Sequence, residues 1–147
     1  MAIKDQLMQD LKEAMKNKED VRKSVITLIR AAVKQREVDE RVELSEEQVQ
    51  DIIAKQLKQR RDSLEEFKKA GREDLIEQTQ KEIEIITTYL PAQLSIEEIE
   101  TLVDEAIAET GATSVKDMGK IMSVLNPRTK GRADGKVVNE VVRKKLQ

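Results

Sequence analysis

The 147-residue sequence has no cysteine, no histidine and no tryptophan, and only one phenylalanine, one tyrosine, two prolines and five glycines. Without cysteine there are no disulfides and no thiolate chemistry, which fits a reducing compartment. Without cysteine or histidine the usual zinc sites are absent. Histidine is also the commonest general acid or base near neutral pH, so that route to catalysis is missing. With one Phe and one Tyr, stacking of bases on aromatic platforms is nearly excluded as a way of recognising nucleic acid. Few positions can break a helix, because glycine and proline are scarce.

Long hydrophobic runs are missing too. The longest nearly apolar stretch, 25–33, is interrupted by Thr27 and Arg30 and is too short to span a bilayer. The first ten residues mix acids with a lysine, unlike a signal or transit peptide. The expectation is a soluble, cytoplasmic protein without membrane, metal or cofactor.

What is present is 38% charged and 38% hydrophobic residues, rich in good helix formers. Apolar residues recur at three-and-four spacing, so the chain reads as all-α. Helix one is expected over 2–17 and helix two over 20–37, the latter with Val21, Val25, Leu28, Ile29, Ala32 and Val33 facing inward. A polar link at 39–44 follows. Ser45 with Gln48 forms a capping box for helix three, which should stop at a left-handed cap on Gly71. Helix four carries Leu75, Thr79, Ile83 and Ile86, and helices three and four should form a long antiparallel hairpin. Pro91 marks the boundary between an N-terminal four-helix domain, 1–90, and a small three-helix domain, 91–147. Ser95 with Glu98 is a second capping box. Ser114 with Asp117 should open the sixth helix, bearing Val115, Met118, Ile121, Met122 and Leu125, and Asn126-Pro127 should close it. The last helix carries Val137, Val138, Val141, Val142 and Leu146. A domain of this size would be marginal alone.

The net charge of −2 hides a gradient. Segment 116–147 holds nine bases and three acids, a local balance of +6. No phosphate loop, nucleophile elbow or organised base is present. The acidic pairs Glu65/Glu66 and Glu97/Glu98 read as solvated or helix-start charges. Two segments stand out. Lys55, Lys58 and Arg61 cluster along one flank of helix three, either as a basic patch or as a solvated face paired with Glu65 and Glu66. Gly119, inside a helix beside Lys120, implies close approach of another backbone. Downstream, Asp134 can cap the last helix, whose first amides would lie near Arg128, Lys130 and Arg132, with Gly131 and Gly135 shaping the loop. That arrangement is either an anion site for phosphate or a turn that sets how two helices cross.

The motifs Lys58-Gln-Arg-Arg-Asp-Ser63, Gly71-Arg-Glu-Asp-Leu75, Tyr89-Leu-Pro-Ala-Gln-Leu94, Met118-Gly-Lys-Ile-Met122 and Lys130-Gly-Arg-Ala-Asp-Gly135 resemble, in order, those of the GatB/YqeY family, over essentially the whole chain. The resemblance is to stand-alone YqeY-like members. It implies an N-terminal helical domain followed by a three-helix domain similar to the tail of the B subunit of the aspartyl/glutamyl-tRNA amidotransferase, a part that helps hold tRNA. The family's carbon–nitrogen ligase label, with glutamine as amido donor, belongs to a catalytic region this chain does not contain. The resemblance makes Gly119, Lys120, Arg128, Lys130, Gly131, Arg132 and Gly135 the RNA-facing elements of a non-catalytic accessory protein. The partner would be tRNA or another folded RNA, bound through phosphate, ribose and shape. The alternative is a helical protein–protein adaptor working through the N-terminal helices without RNA.

Overall fold

The computed structural model describes all residues, Met1–Gln147. It is built of seven α-helices: α1 (Ile3–Lys16), α2 (Asp20–Glu40), α3 (Glu46–Ala70), α4 (Glu73–Thr87), α5 (Ile96–Thr110), α6 (Met118–Thr129) and α7 (Gly135–Leu146). The chain divides into two compact units, Met1–Leu90 and Pro91–Gln147.

In the first unit α1 pairs with α2 and α3 with α4, and α2 also packs on both α3 and α4. The core is Leu7, Val25, Ile26, Ile29, Val49, Ile53, Leu57 and Ile86, closed by Tyr89 and Leu90. The Ser45 and Ser95 capping boxes both form, with each serine hydroxyl accepting from the amide three residues on and the Gln48 or Glu98 side chain accepting from the serine amide. Gly71 ends α3 at φ +68°, where any other residue would be strained.

Several elements depart from the sequence expectation. Helix α2 continues to Glu40, shortening the polar link, because Gln35–Asp39 and Arg36–Glu40 pairs carry it one more turn. It ends at Arg41 in left-handed geometry. Leu28 is 52% exposed, and Ile26, fully buried, takes the inward place. Pro127 does not close α6. It forfeits its own amide bond, yet the helix continues past it, and the Lys130 amide still reaches the Asn126 carbonyl at 3.0 Å. Ser114 does not cap α6. A 3₁₀ turn, Val115–Asp117, comes first, and the Asp117 carboxylate accepts instead from the Thr113 amide at 3.0 Å. Val115 is therefore exposed rather than core.

Helix α1 has no side-chain cap of its own. The Ile3 amide donates to Glu46 on α3 at 2.9 Å. Glu37 accepts from Lys4 and from the Leu44 amide, fastening α1, α2 and the loop to one carboxylate. Lys4 comes first among the causes holding the Glu37 carboxyl below its ordinary pKa, followed by the Leu44 amide. Deeper in the unit the Tyr89 hydroxyl donates to the buried Asp10 carboxylate at 2.5 Å, and Arg22 on α2 meets Asp10 at 3.3 Å. Burial first, and then this hydrogen bond, push the Tyr89 pKa above its ordinary value. In Tyr89→Phe the buried carboxylate loses a donor but keeps Arg22. The cost should be about 1–3 kcal/mol, measured as a lowered urea midpoint by circular dichroism. An unchanged midpoint would show that this bond adds nothing to stability.

Candidate functional site

The second unit packs α5 against both α6 and α7. Its core is Ile99, Val103, Ala106, Ile121, Leu125, Val138 and Val142. The charges of this unit are segregated. Helix α5 carries six acids and no base, while every base of the unit lies from Lys116 onward. Two of the α5 acids bind across the helices: Glu109 receives Arg128 through both carboxylate oxygens at 3.0 Å, and Asp104 receives Lys145 at 2.8 Å.

This geometry places the predicted residues one by one. Lys120 lies exposed in the first turn of α6, beside Asp117. Arg128, eight residues on, is about 12 Å further along the axis and is held by Glu109, so it is not a free cation over the start of α7. Lys130 is exposed at the end of α6. Arg132 is half-buried. Its Nε reaches the Ala92 carbonyl at 3.5 Å, and its charge helps hold the Glu98 carboxyl below its ordinary pKa. Asp134 does cap α7, accepting from the Lys136 amide at 3.0 Å. That carboxylate fills the place an external anion would take at the helix start. The close approach expected at Gly119 is not there: a Cβ would meet nothing within 4 Å. Gly135 is equally open. Gly131 is different, turning at φ +74°.

The loop that follows α6 is spent on α5. The Leu94 amide donates to the Arg132 carbonyl at 2.7 Å, and the Gln93 side chain to the Gly131 carbonyl at 2.9 Å. Two motifs some 40 residues apart in sequence thus form one piece, a junction that neither motif discloses by itself.

In the first unit Lys55 and Lys58 are exposed on α3, with Lys58 3.7 Å from Asp62. Arg61 is half-buried and partnered. Arg60, which sequence reasoning passed over, turns into a cleft of about 390 Å³ between α3 and α4 and approaches Glu82 at 4.0 Å. No helix is long and apolar enough to cross a membrane. Acidic side chains nowhere gather in threes as metal ligands would.

The family model for Yqey-like protein matches residues 4–146. The chain belongs to the YqeY-like family. Curated relatives carry the name "Altered inheritance of mitochondria protein 41, mitochondrial". The protein from Lachancea thermotolerans is 44% identical over 85 residues, covering 57% of this chain and 46% of that one. The one from Eremothecium gossypii is 37% identical over 110 residues, 73% and 60% of the two chains. In Pyrenophora tritici-repentis the match is 33% identical over 147 residues, 96% of this chain and 77% of the relative. The alignments to the first two span about half the length of those relatives.

The two glycines of the site should respond oppositely to alanine. Gly131→Ala puts a Cβ into left-handed backbone and should cost about 1 kcal/mol, while Gly119→Ala, in an open helical position, should gain about 1 kcal/mol. Thermal unfolding of both variants checks this, and a destabilised Gly119→Ala would contradict the open surroundings of that residue.

The Ser95 amide is the first cause that lowers the Glu98 carboxyl from its ordinary value of 4.5, followed by the Ser95 side chain. A depressed carboxyl stabilises the fold above 4.5 and loses that contribution as pH falls through its lower folded value. The thermal midpoint should therefore fall on acidification below 4.5, and fall less steeply in Glu98→Gln. Parallel pH profiles would remove Glu98 from the acid response.

Proposed function

We propose that this YqeY-like chain is a non-catalytic accessory protein that binds tRNA or another folded RNA through the basic side of its second unit. The observation that carries the reading is the charge segregation: six acids on α5, and all nine bases of the unit on and around α6, the following loop and α7. A surface divided this way offers phosphates a positive side despite a net charge of −2. The resemblance to the amidotransferase B-subunit tail supports the same reading. Lys120 and Lys130, both exposed, are the leading phosphate contacts. Arg128 and Arg132, tied to Glu109 and Ala92, act at second hand by shaping the surface. The compartment proposed is the cytoplasm, on the cysteine-free composition; the curated relatives are named as mitochondrial proteins.

The test is a titration of labelled bulk tRNA with the purified protein at two salt concentrations, beside Lys120→Glu/Lys130→Glu. Binding should weaken steeply with salt, and the double variant should lower the logarithmic salt slope by about two. Absence of binding at low salt, or binding indifferent to salt and to both substitutions, overturns the reading.

A further inference from the structure

The groove between α1 and α2 belongs to the first unit and takes no part in the RNA reading. It is open, about 630 Å³, and more apolar than polar. Met8, 39% exposed, and the half-buried Leu11 offer its apolar surface, with Leu7 and Val33 buried beneath them. Ala31, small and exposed, leaves one wall low. The α2 side from Thr27 to Glu37 runs three helical turns, about 15 Å, a length that suits a short helix laid along it.

The rim charges say what kind of helix. At one end Lys4 is bound to Glu37 and so is neutralised. Arg30 and Lys34, one turn apart on α2, line the groove and form no ion pair. Asp5 stands on the α1 wall. A positive edge on α2 facing a negative point on α1 gives the groove a polarity across its width. Methionine at such a surface adapts its shape to different apolar side chains.

We propose that the α1–α2 groove docks an amphipathic helix of a partner protein, with apolar residues at helical spacing seated over Met8 and Leu11, above the buried Leu7 and Val33, and acidic residues along the edge facing Arg30 and Lys34. The mode is a helix in a groove, in which apolar anchors supply affinity and the charged edge sets orientation. Asp5 excludes the reversed placement by like-charge repulsion. The assignment is independent of the RNA reading, because it uses residues of a different unit.

The probe is a fluorescent synthetic helix of about four turns, with leucines at i, i+4 and i+7 and glutamates along one flank. Its match is the same peptide with the glutamates replaced by lysines. Fluorescence anisotropy with the full chain should show the acidic peptide binding and the basic one not. Arg30→Glu/Lys34→Glu should weaken the acidic peptide about tenfold or more and let the basic peptide bind. Ala31→Gln, which raises the low wall without changing charge, should weaken both. Circular dichroism establishes that each variant is folded. Equal binding of the two peptides, no exchange of preference in the double variant, or indifference to Ala31→Gln overturns the proposal. So does sedimentation showing that Ala31→Gln dissolves a dimer, which would make the occupant a second copy of this chain. Peptide binding that survives loss of tRNA binding, or the reverse, separates the two readings.

Discussion

The first unit depends on how it handles one buried carboxylate. Asp10 is 8% exposed in a helix whose inward face is otherwise apolar. A carboxylate there is tolerable only with donors around it. Gln6 from its own helix, Arg22 from α2 and the Tyr89 hydroxyl from the end of α4 provide them. Each donor fixes an element: Arg22 sets the register of α2 against α1, and Tyr89 returns the chain after α4 to the first helix. The only tyrosine in the protein is thus committed to the interior. Apolar packing alone would hold four amphipathic helices together with less discrimination between registers, since leucine and isoleucine stripes tolerate sliding more than a hydrogen bond does.

Much of this architecture was legible in the sequence, for reasons that differ by element. Capping boxes at Ser45 and Ser95 are local chemistry, complete within four residues, and both form as read. The Gly71 stop is equally local. The stripe of α2 was harder. That helix touches α1, α3 and α4, so its apolar arc is broad, and periodicity placed Leu28 inward where the structure has Ile26. Pro127 misled because a proline costs its own amide bond and crowds the carbonyl four residues back without always ending the helix, and α6 runs two residues past it to Thr129. At the candidate site, residue types and positions were legible but their engagements were not. The Arg128–Glu109 pair and the bonds from Gln93 and Leu94 to the loop at Gly131 and Arg132 depend on how α5 lies against its neighbours. Asp134 was recognisable as a cap; that its carboxylate also forestalls an external anion follows only from seeing it in place.

The two units solve their charge problem in different ways. The first, with bases and acids mixed along every helix, spreads ion pairs such as Arg36–Glu40 and Lys81–Glu77 over its surface, each worth little. The second sorts its charges by helix. Two of the α5 acids meet Arg128 and Lys145, and segment 116–147 as a whole holds nine bases to three acids. Sorting charge by helix gives a surface a strong local potential even where the net charge is small.

The borrowed cap on α1 has a consequence for the order of assembly. The first amide of that helix is satisfied by Glu46, a residue 43 positions later in the chain. While the polypeptide is being made, α1 leaves the ribosome with its start unfinished. It becomes complete only when α2 and the opening turn of α3 have followed it out and folded back. A short helix with an open end frays, so α1 is secured at its start only once Glu46 has come back onto it.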